Sequence, residues 1–465
     1  MTRPLNRPTI FPTSVKILFV MWLCTTVYLF TASTEFFKSS ISDITVESFV
    51  RNTFDSPKNT LQRFDKSKVN LTGIYFPALD EEGKPGYVHN VTKLHYKPPA
   101  FNANGIRCEH NDATMQLLTQ RVHVDFAAHD HADKIAMNFA MKPRAKIFCH
   151  VYTTSKGHQK IQSIRETWGQ RCDGFLAAST VTDRSIDVVH ITHEGREAYQ
   201  NMWQKVRSMW AYVYVHYFDH YDWFHIGGDD MYVLVENLRL YLESEEIVTA
   251  SNGGQRPLLL GQQFYQHGNR ESAYVTGGGG YTLNKAALHA LVTSFPSCAP
   301  HDVTSGEDFL VTRCLQGLNI SAHWTTEETG AERYNHLHPE IEFNFDPKKN
   351  PLYWLSYYTD NNNVGPDRVS ETAVSFHVKT NEMLNKPKVE SEMRRVHAIL
   401  YGYCANVSKG PPVRTPRWDD GKILFPYWKS PSLKCELEKK PDEECQCKGN
   451  PEKCTRVKRK KENIS

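Results

Sequence analysis

Two rhythms of apolar and polar positions mark out the middle of this chain. From Ala145 onward, Lys146-Ile147-Phe148-Cys149-His150-Val151-Tyr152 is a compact apolar run of strand length. Ile161, Ile164, Thr167 and Trp168 then recur at helical spacing, before Gly174-Phe175-Leu176-Ala177-Ala178 and Ile186-Asp187-Val188-Val189-His190-Ile191 return to strand-like runs. Trp203, Val206, Trp210, Val213 and Tyr217 repeat every three or four residues, which predicts a long helix with one apolar stripe. That helix delivers the chain into Trp223-Phe224-His225-Ile226, which reads as a buried strand. The progression strand, helix, strand, strand, long helix, strand predicts an α/β fold with a largely parallel sheet. Beyond it, Pro257-Leu258-Leu259-Leu260-Gly261, Tyr274-Val275-Thr276 and Tyr281-Thr282-Leu283 read as further strands. Asn284 is placed to cap a helix over Lys285–Ser294, and Phe309, Leu310, Val311, Cys314 and Leu315 give another helix. Thr372-Ala373-Val374-Ser375-Phe376-His377 ends the pattern as an apolar strand.

Outside this region the pattern changes. Residues 17–32 are apolar and uncharged, preceded by Arg3, Arg7 and Lys16 and followed by Glu35. A stretch of about 17–25 apolar residues spans a bilayer, so this one reads as a short single-pass anchor with a cytoplasmic amino terminus. A cleaved signal peptide, with small residues at Thr31-Ala32-Ser33, is the competing reading, and the length of the run favours the anchor. The resulting organisation is a cytoplasmic tail (1–16), a signal anchor (17–33), a stem (34–144), a main domain (145–405) and a cysteine-rich basic extension (406–465).

Composition refines the setting. A net charge of +3 gives no bulk argument for a nucleic-acid partner. Asn-x-Ser/Thr sequons at Asn70, Asn90, Asn319, Asn406 and Asn463 suit a chain exposed to the secretory lumen. Beyond Cys24 in the anchor segment, ten cysteines remain, an even number that suggests disulfides in an oxidising compartment. A zinc cluster in the tail is disfavoured because paired Cys-x-x-Cys knuckles are missing.

The candidate chemistry gathers around Gly227-Gly228-Asp229-Asp230. Two glycines turn the chain at the carboxyl end of a buried strand, where ligands sit in open α/β sheets, and two carboxylates follow. Hard divalent cations take carboxylates together with substrate phosphates, so this pair is a candidate metal seat, although an acidic turn capping the next helix has the same appearance. Gly277 to Gly280 would let backbone approach a bulky ligand, or would be a plain flexible loop. Glu307 and Asp308 open a helix, where they complement its dipole or project a catalytic carboxylate. His377, at a strand end, is a ligand candidate.

Taken in order, Arg165-Glu166-Thr167-Trp168-Gly169-Gln170-Arg171-Cys172, the stretch from Asp222 through Asp229-Asp230-Met231-Tyr232 to Arg239, Gly277-Gly278-Gly279-Gly280-Tyr281-Thr282-Leu283-Asn284-Lys285, Gly306-Glu307-Asp308 and Ala373-Val374-Ser375-Phe376-His377 carry a resemblance. The segment from about Lys146 to Tyr403 resembles glycosyltransferase family 31, and within it the core 1 β1,3-galactosyltransferases. The resemblance implies an α/β, GT-A type nucleotide-diphosphosugar transferase fold on a single-pass type II membrane anchor, in the Golgi or endoplasmic reticulum with the catalytic domain lumenal. It implies Mn²⁺ as cofactor, UDP-galactose as donor, and a glycoprotein acceptor carrying O-linked N-acetylgalactosamine, and it leaves a homodimer open as an arrangement. Carried over by position, Asp230 would bind the metal with His377, and Asp308 would be the general base. Tyr152, Thr153, Lys205 and Asp229 would face the donor, while Trp354 and Gly278 would face the acceptor. Glu307, one position from Asp308, is expected to point elsewhere. The chain departs from the core 1 pattern at Gly228, where those enzymes usually show a further acid, and it lacks a cysteine pair before Ala373. A fringe-like β1,3-N-acetylglucosaminyltransferase and a non-catalytic folding partner are the rival readings.

Overall fold

The computed structural model describes residues 64–89, 121–122, 124, 145–266, 269–346, 348–349, 363–379, 388–401 and four short strands beyond residue 417. The expected anchor at 17–33, most of the stem, and Trp354 lie outside the described residues. Among the described residues no helix is long and apolar enough to cross a membrane.

The elements, in chain order, begin with β1 (Ile147–Tyr152), α1 (His158–Glu166), β2 (Gly174–Ser179), β3 (Val188–His190), α2 (Met202–His216) and β4 (Trp223–Gly228). After the acidic turn come β5 (Met231–Val233), α3 (Val235–Leu242), α4 (Glu245–Ala250), β6 (Leu259–Leu260), β7 (Gln263–Gln266), β8 (Asn269–Val275) and β9 (Tyr281–Asn284). Then follow α5 (Lys285–Ser294), α6 (Glu307–Gln316), β10 (Tyr334–Asn335), α7 (Pro339–Asn344), β11 (Ser375–His377) and α8 (Val389–Leu400). The tail adds two hairpins, Trp418–Asp419 with Lys422–Ile423 and Glu443–Gln446 with Thr455–Lys458.

The main sheet has the order β3-β2-β1-β4-β9-β6, parallel from β3 to β4 and antiparallel at β9 and β6. Its apolar runs are continuous because both faces are covered. Ile147, Cys149 and Val151 of β1 enter one core with Ile161 and Ile164 of α1 and Met393 and Val396 of α8. Phe148 enters the other core, with Trp203, Val206 and Trp210 of α2 and Leu288 and Leu291 of α5. One residue of register therefore decides which layer each side chain joins.

Helix α2 departs from the single apolar stripe that its spacing predicts. Every residue from Met202 to Tyr214 is buried, since α5, α6 and the sheet share its surface. Its polar residues are tolerated because each finds a partner. Gln204 donates to the Asp302 carbonyl at 2.8 Å, Arg207 to the Phe295 carbonyl at 3.0 Å, and Lys205 to Glu197 at 2.8 Å. Residues 64–89, within the expected stem, pack against the same body. Ile74 and Ala78 are buried in the α2 core, and Leu79 donates its N–H to His190 on edge strand β3 at 2.9 Å. Two disulfides join neighbouring parts: Cys149–Cys172 ties β1 to the turn after α1, and Cys298–Cys314 ties the α5–α6 connection to α6.

Candidate active site

The sheet reverses direction of growth at β1, which pairs with β2 on one edge and β4 on the other. In such sheets a crevice opens beyond the carboxyl ends of the two strands at the switch point. Here those ends are Tyr152-Thr153 and Gly228-Asp229-Asp230, with Tyr152 and Gly228 in register. A cleft of about 480 Å³ opens above them, within the usual size range of small-molecule sites. Tyr152, Thr153, Lys205, Asp229, Asp230, Gly278, Asp308 and His377 all line it.

Asp230 and His377 meet because β5 pairs antiparallel with β11, setting His377 opposite Met231. His377 Nε2 lies 3.2 Å from Asp230 Oδ2. Its Nδ1 lies 3.0 Å from the His336 carbonyl, and donating there leaves the Nε2 lone pair for the cleft. Burial pushes the Asp230 carboxyl up, but hydrogen bonding and charge from His377, aided by Lys160 and Lys379, hold it below the usual carboxylate range. Among the described residues no cluster of three or more His, Cys, Asp or Glu side chains converges as a metal cage. The donor set is nonetheless chemically suited to a hard divalent cation. One carboxylate oxygen and one oriented imidazole nitrogen face an open cleft in which phosphate oxygens would complete the coordination.

Asp229 turns the other way. Thr153 Oγ1 donates to its Oδ2 at 2.6 Å and Lys160 Nζ to its Oδ1 at 2.8 Å. Burial raises its carboxyl even so. Gly228 leaves little space for a side chain, since a Cβ there would lie 2.8 Å from Asp230 Oδ1 and 3.2 Å from the Tyr152 ring. The Tyr152 ring occupies that side of the turn. Lys205 donates to the Thr153 carbonyl at 2.5 Å and to Glu197 at 2.8 Å. Burial pushes Glu197 up, but hydrogen bonds from His193 and Lys205 carry it down to about 2. This ion pair locks the turn that follows β1.

Asp308 stands on the first turn of α6. Its Oδ2 accepts the Gly277 N–H at 2.6 Å and its Oδ1 the Phe309 N–H at 2.8 Å. Burial raises its carboxyl above the ordinary range against these hydrogen bonds. The glycine run wraps close over this floor: a Cβ at Gly278 would meet His336 Nδ1 at 2.6 Å and His377 Nδ1 at 2.8 Å. Only a glycine lets the loop pass between Asp308 and the histidines.

Three further groups lie in the cleft beyond the residues expected to form it. Glu307 is buried in the floor beside Asp308 rather than pointing away, and Tyr281 donates to its Oε2 at 2.8 Å. A helix start shows two successive side chains about 100° apart, and the bend of the glycine loop decides that both face inward. His336 directly follows β10, a strand too short to leave a pattern, and burial pushes its imidazole down to about 3. Lys379 lies two residues past His377 and lines the same cleft, with no ion-pair partner among the described residues. A basic residue just beyond a candidate ligand histidine is the one signal that was available for it.

Residues 143–327 match the family model described as Fringe-like. The chain is 26% identical over 267 residues to glycoprotein-N-acetylgalactosamine 3-beta-galactosyltransferase 1 of Xenopus laevis, covering 57% of this chain and 71% of that one. It is 24% identical over 179 residues to the beta-1,3-glucosyltransferase of Mus musculus, covering 38% of this chain and 34% of the relative. To chondroitin sulfate synthase 3 of Mus musculus it is 27% identical over 146 residues, covering 29% of this chain and 16% of that one. The matched span holds the acidic turn, the glycine run and Asp308, while His336, His377 and Lys379 lie beyond it.

Proposed function

We propose, from the match of residues 143–327 to the family model described as Fringe-like and from the similarity to a galactosyltransferase, that this chain transfers galactose from UDP-galactose in β1,3 linkage to O-linked N-acetylgalactosamine on glycoproteins. The single observation that carries the reading is the separation of tasks within one cleft. The Asp230–His377 pair stands at the strand end, and Asp308 stands across the floor, held by backbone N–H groups. In the proposed reaction Asp308 accepts the proton of the acceptor hydroxyl, whose oxygen attacks the anomeric carbon. The bond from that carbon to the diphosphate breaks, its electron pair leaves with UDP, and a single displacement inverts the centre. Asp230 and His377 would hold Mn²⁺, which when bound would supply Lewis-acid neutralisation of the leaving diphosphate. Lys379 would face the same phosphates, and Lys205 would hold the Thr153 backbone where the nucleotide lies. The lumenal sequons and the apolar run at 17–32 support an anchored protein of the early secretory route.

The Fringe-like match favours one second reading, transfer of N-acetylglucosamine with the same residues. A panel of radiolabelled UDP-sugars offered to the purified chain with N-acetylgalactosamine glycosides and Mn²⁺ separates them. Incorporation from UDP-galactose supports the proposal, and incorporation only from UDP-N-acetylglucosamine ends it. No transfer from any donor, together with tight binding to another transferase, would favour a folding partner.

A further inference from the structure

We propose that Glu307 works as a protonated carboxyl that positions Tyr152 beside the acidic turn, and that its ionisation next to Asp308 switches the reaction off at alkaline pH. The inference rests on the transfer reading above and adds a residue to it.

Glu307 is 4% exposed, and among the described residues no Lys, Arg or His side chain pairs with it. Its immediate neighbour Asp308 is a second carboxyl in the same floor. A buried carboxylate with no cation, beside another carboxylate, is the arrangement that favours the neutral acid. The groups facing it are few. Asp308 comes from its own helix, Tyr281 from β9 and Tyr152 from β1, and the glycine loop contributes only backbone. Burial, then the charge of Asp308, push Glu307 up to about 8, while the tyrosine hydroxyls pull the other way. At neutral pH the pair therefore carries one negative charge, on Asp308. Two carboxyls whose surroundings separate their roles are a recurring device of acid–base sites.

The position also has a mechanical consequence. Tyr152, which touches the Glu307 carboxyl, lays its ring against Gly228 beside Asp230. Glu307 thus spans from the helix that carries the base to the strand end that carries the metal-side acid. Once ionised, it would place a second negative charge beside Asp308 and oppose the entry of a diphosphate into the shared cleft. The predicted effect falls on the KM for the donor before it falls on kcat.

The test is the pH dependence of kcat and KM for UDP-galactose in the native chain and in Glu307→Gln, from neutral to alkaline pH. The native chain should lose donor affinity above about pH 8, and Glu307→Gln should show that limb abolished or moved upward by at least about one unit. An unmoved limb in a folded Glu307→Gln overturns the proposal. So does a loss of turnover at all pH values as deep as that of Asp308→Asn, because Glu307 would then be acting as a charged base. Should Glu307→Gln fail to fold, Tyr281→Phe removes a hydroxyl that favours the ionised form, and the limb must move upward; an unmoved limb there also overturns it. A native chain that transfers no sugar would defeat the transfer reading itself, an outcome distinct from an active chain with an unmoved limb.

Discussion

As the proposed base, Asp308 has to lose its proton before it can accept one, and its surroundings make that harder. Burial raises its carboxyl, and the backbone N–H groups of Gly277, Phe309 and Asp308 itself offset this in part. Since the deprotonated form is the base, activity falls as pH drops through this raised value and recovers above it. The acidic limb of kcat/KM should therefore lie above the ordinary aspartate value of about 3.9. A profile that stays flat down to about pH 4 would contradict the assignment. At this scale the sequence was informative for residues that stand at the end of a readable element. Tyr152, Thr153, Asp230, Asp308 and His377 each close or open such an element, and all meet in the cleft. It was misleading for Glu307, which was expected to point elsewhere and instead lines the same cleft as Asp308. It was silent on the pairing of Asp229 with Lys160, which crosses from the turn to α1.

At the level of elements, the site depends on a pairing between distant strands. Of the two, only β11 is marked out as an apolar run in the sequence, and neither strand contains the information that Met231 lies opposite His377. The pairing is made by the surrounding core, in which Tyr232, Val233, Val374 and Phe376 are all fully buried. Local chemistry did settle other boundaries. Asn284 caps α5 by accepting the Ala287 N–H at 2.9 Å, as its sequence position suggested. Of the two readings left open for the glycine run, the structure shows a close approach, to His336 and His377, partners that the sequence did not indicate. Its contacts give a direct prediction: Gly278→Ala should drive the His336 and His377 rings apart and weaken Mn²⁺ binding by about tenfold or more, with the fold retained. Titration of free Mn²⁺ by electron paramagnetic resonance, with UDP present, measures this. An unchanged affinity would show that His377 does not hold the metal.

On the scale of the whole molecule, covering both faces of a mixed sheet is what creates the cleft. Helices α1 and α8 close one face and α2, α5 and α6 the other, leaving the carboxyl ends of β1 and β4 open. The α/β progression was readable because buried parallel strands leave unbroken apolar runs. The complete burial of α2 was not, because Gln204, Lys205 and Arg207 look solvent-facing until their partners are in place. Packing of residues 64–89 was also beyond pattern, since that stretch has few regular elements and joins the body through single contacts such as Leu79 with His190. In the proposed reaction this body delivers a sugar from UDP to an acceptor hydroxyl through Asp308. Its most direct test is transfer from UDP-galactose to an N-acetylgalactosamine glycoside by the native chain and by Asp308→Asn, with UDP binding measured for both. The native chain should transfer the sugar, and Asp308→Asn should lose about 10²–10⁴-fold in kcat while UDP still binds. Turnover of Asp308→Asn within about threefold of the native chain would contradict it.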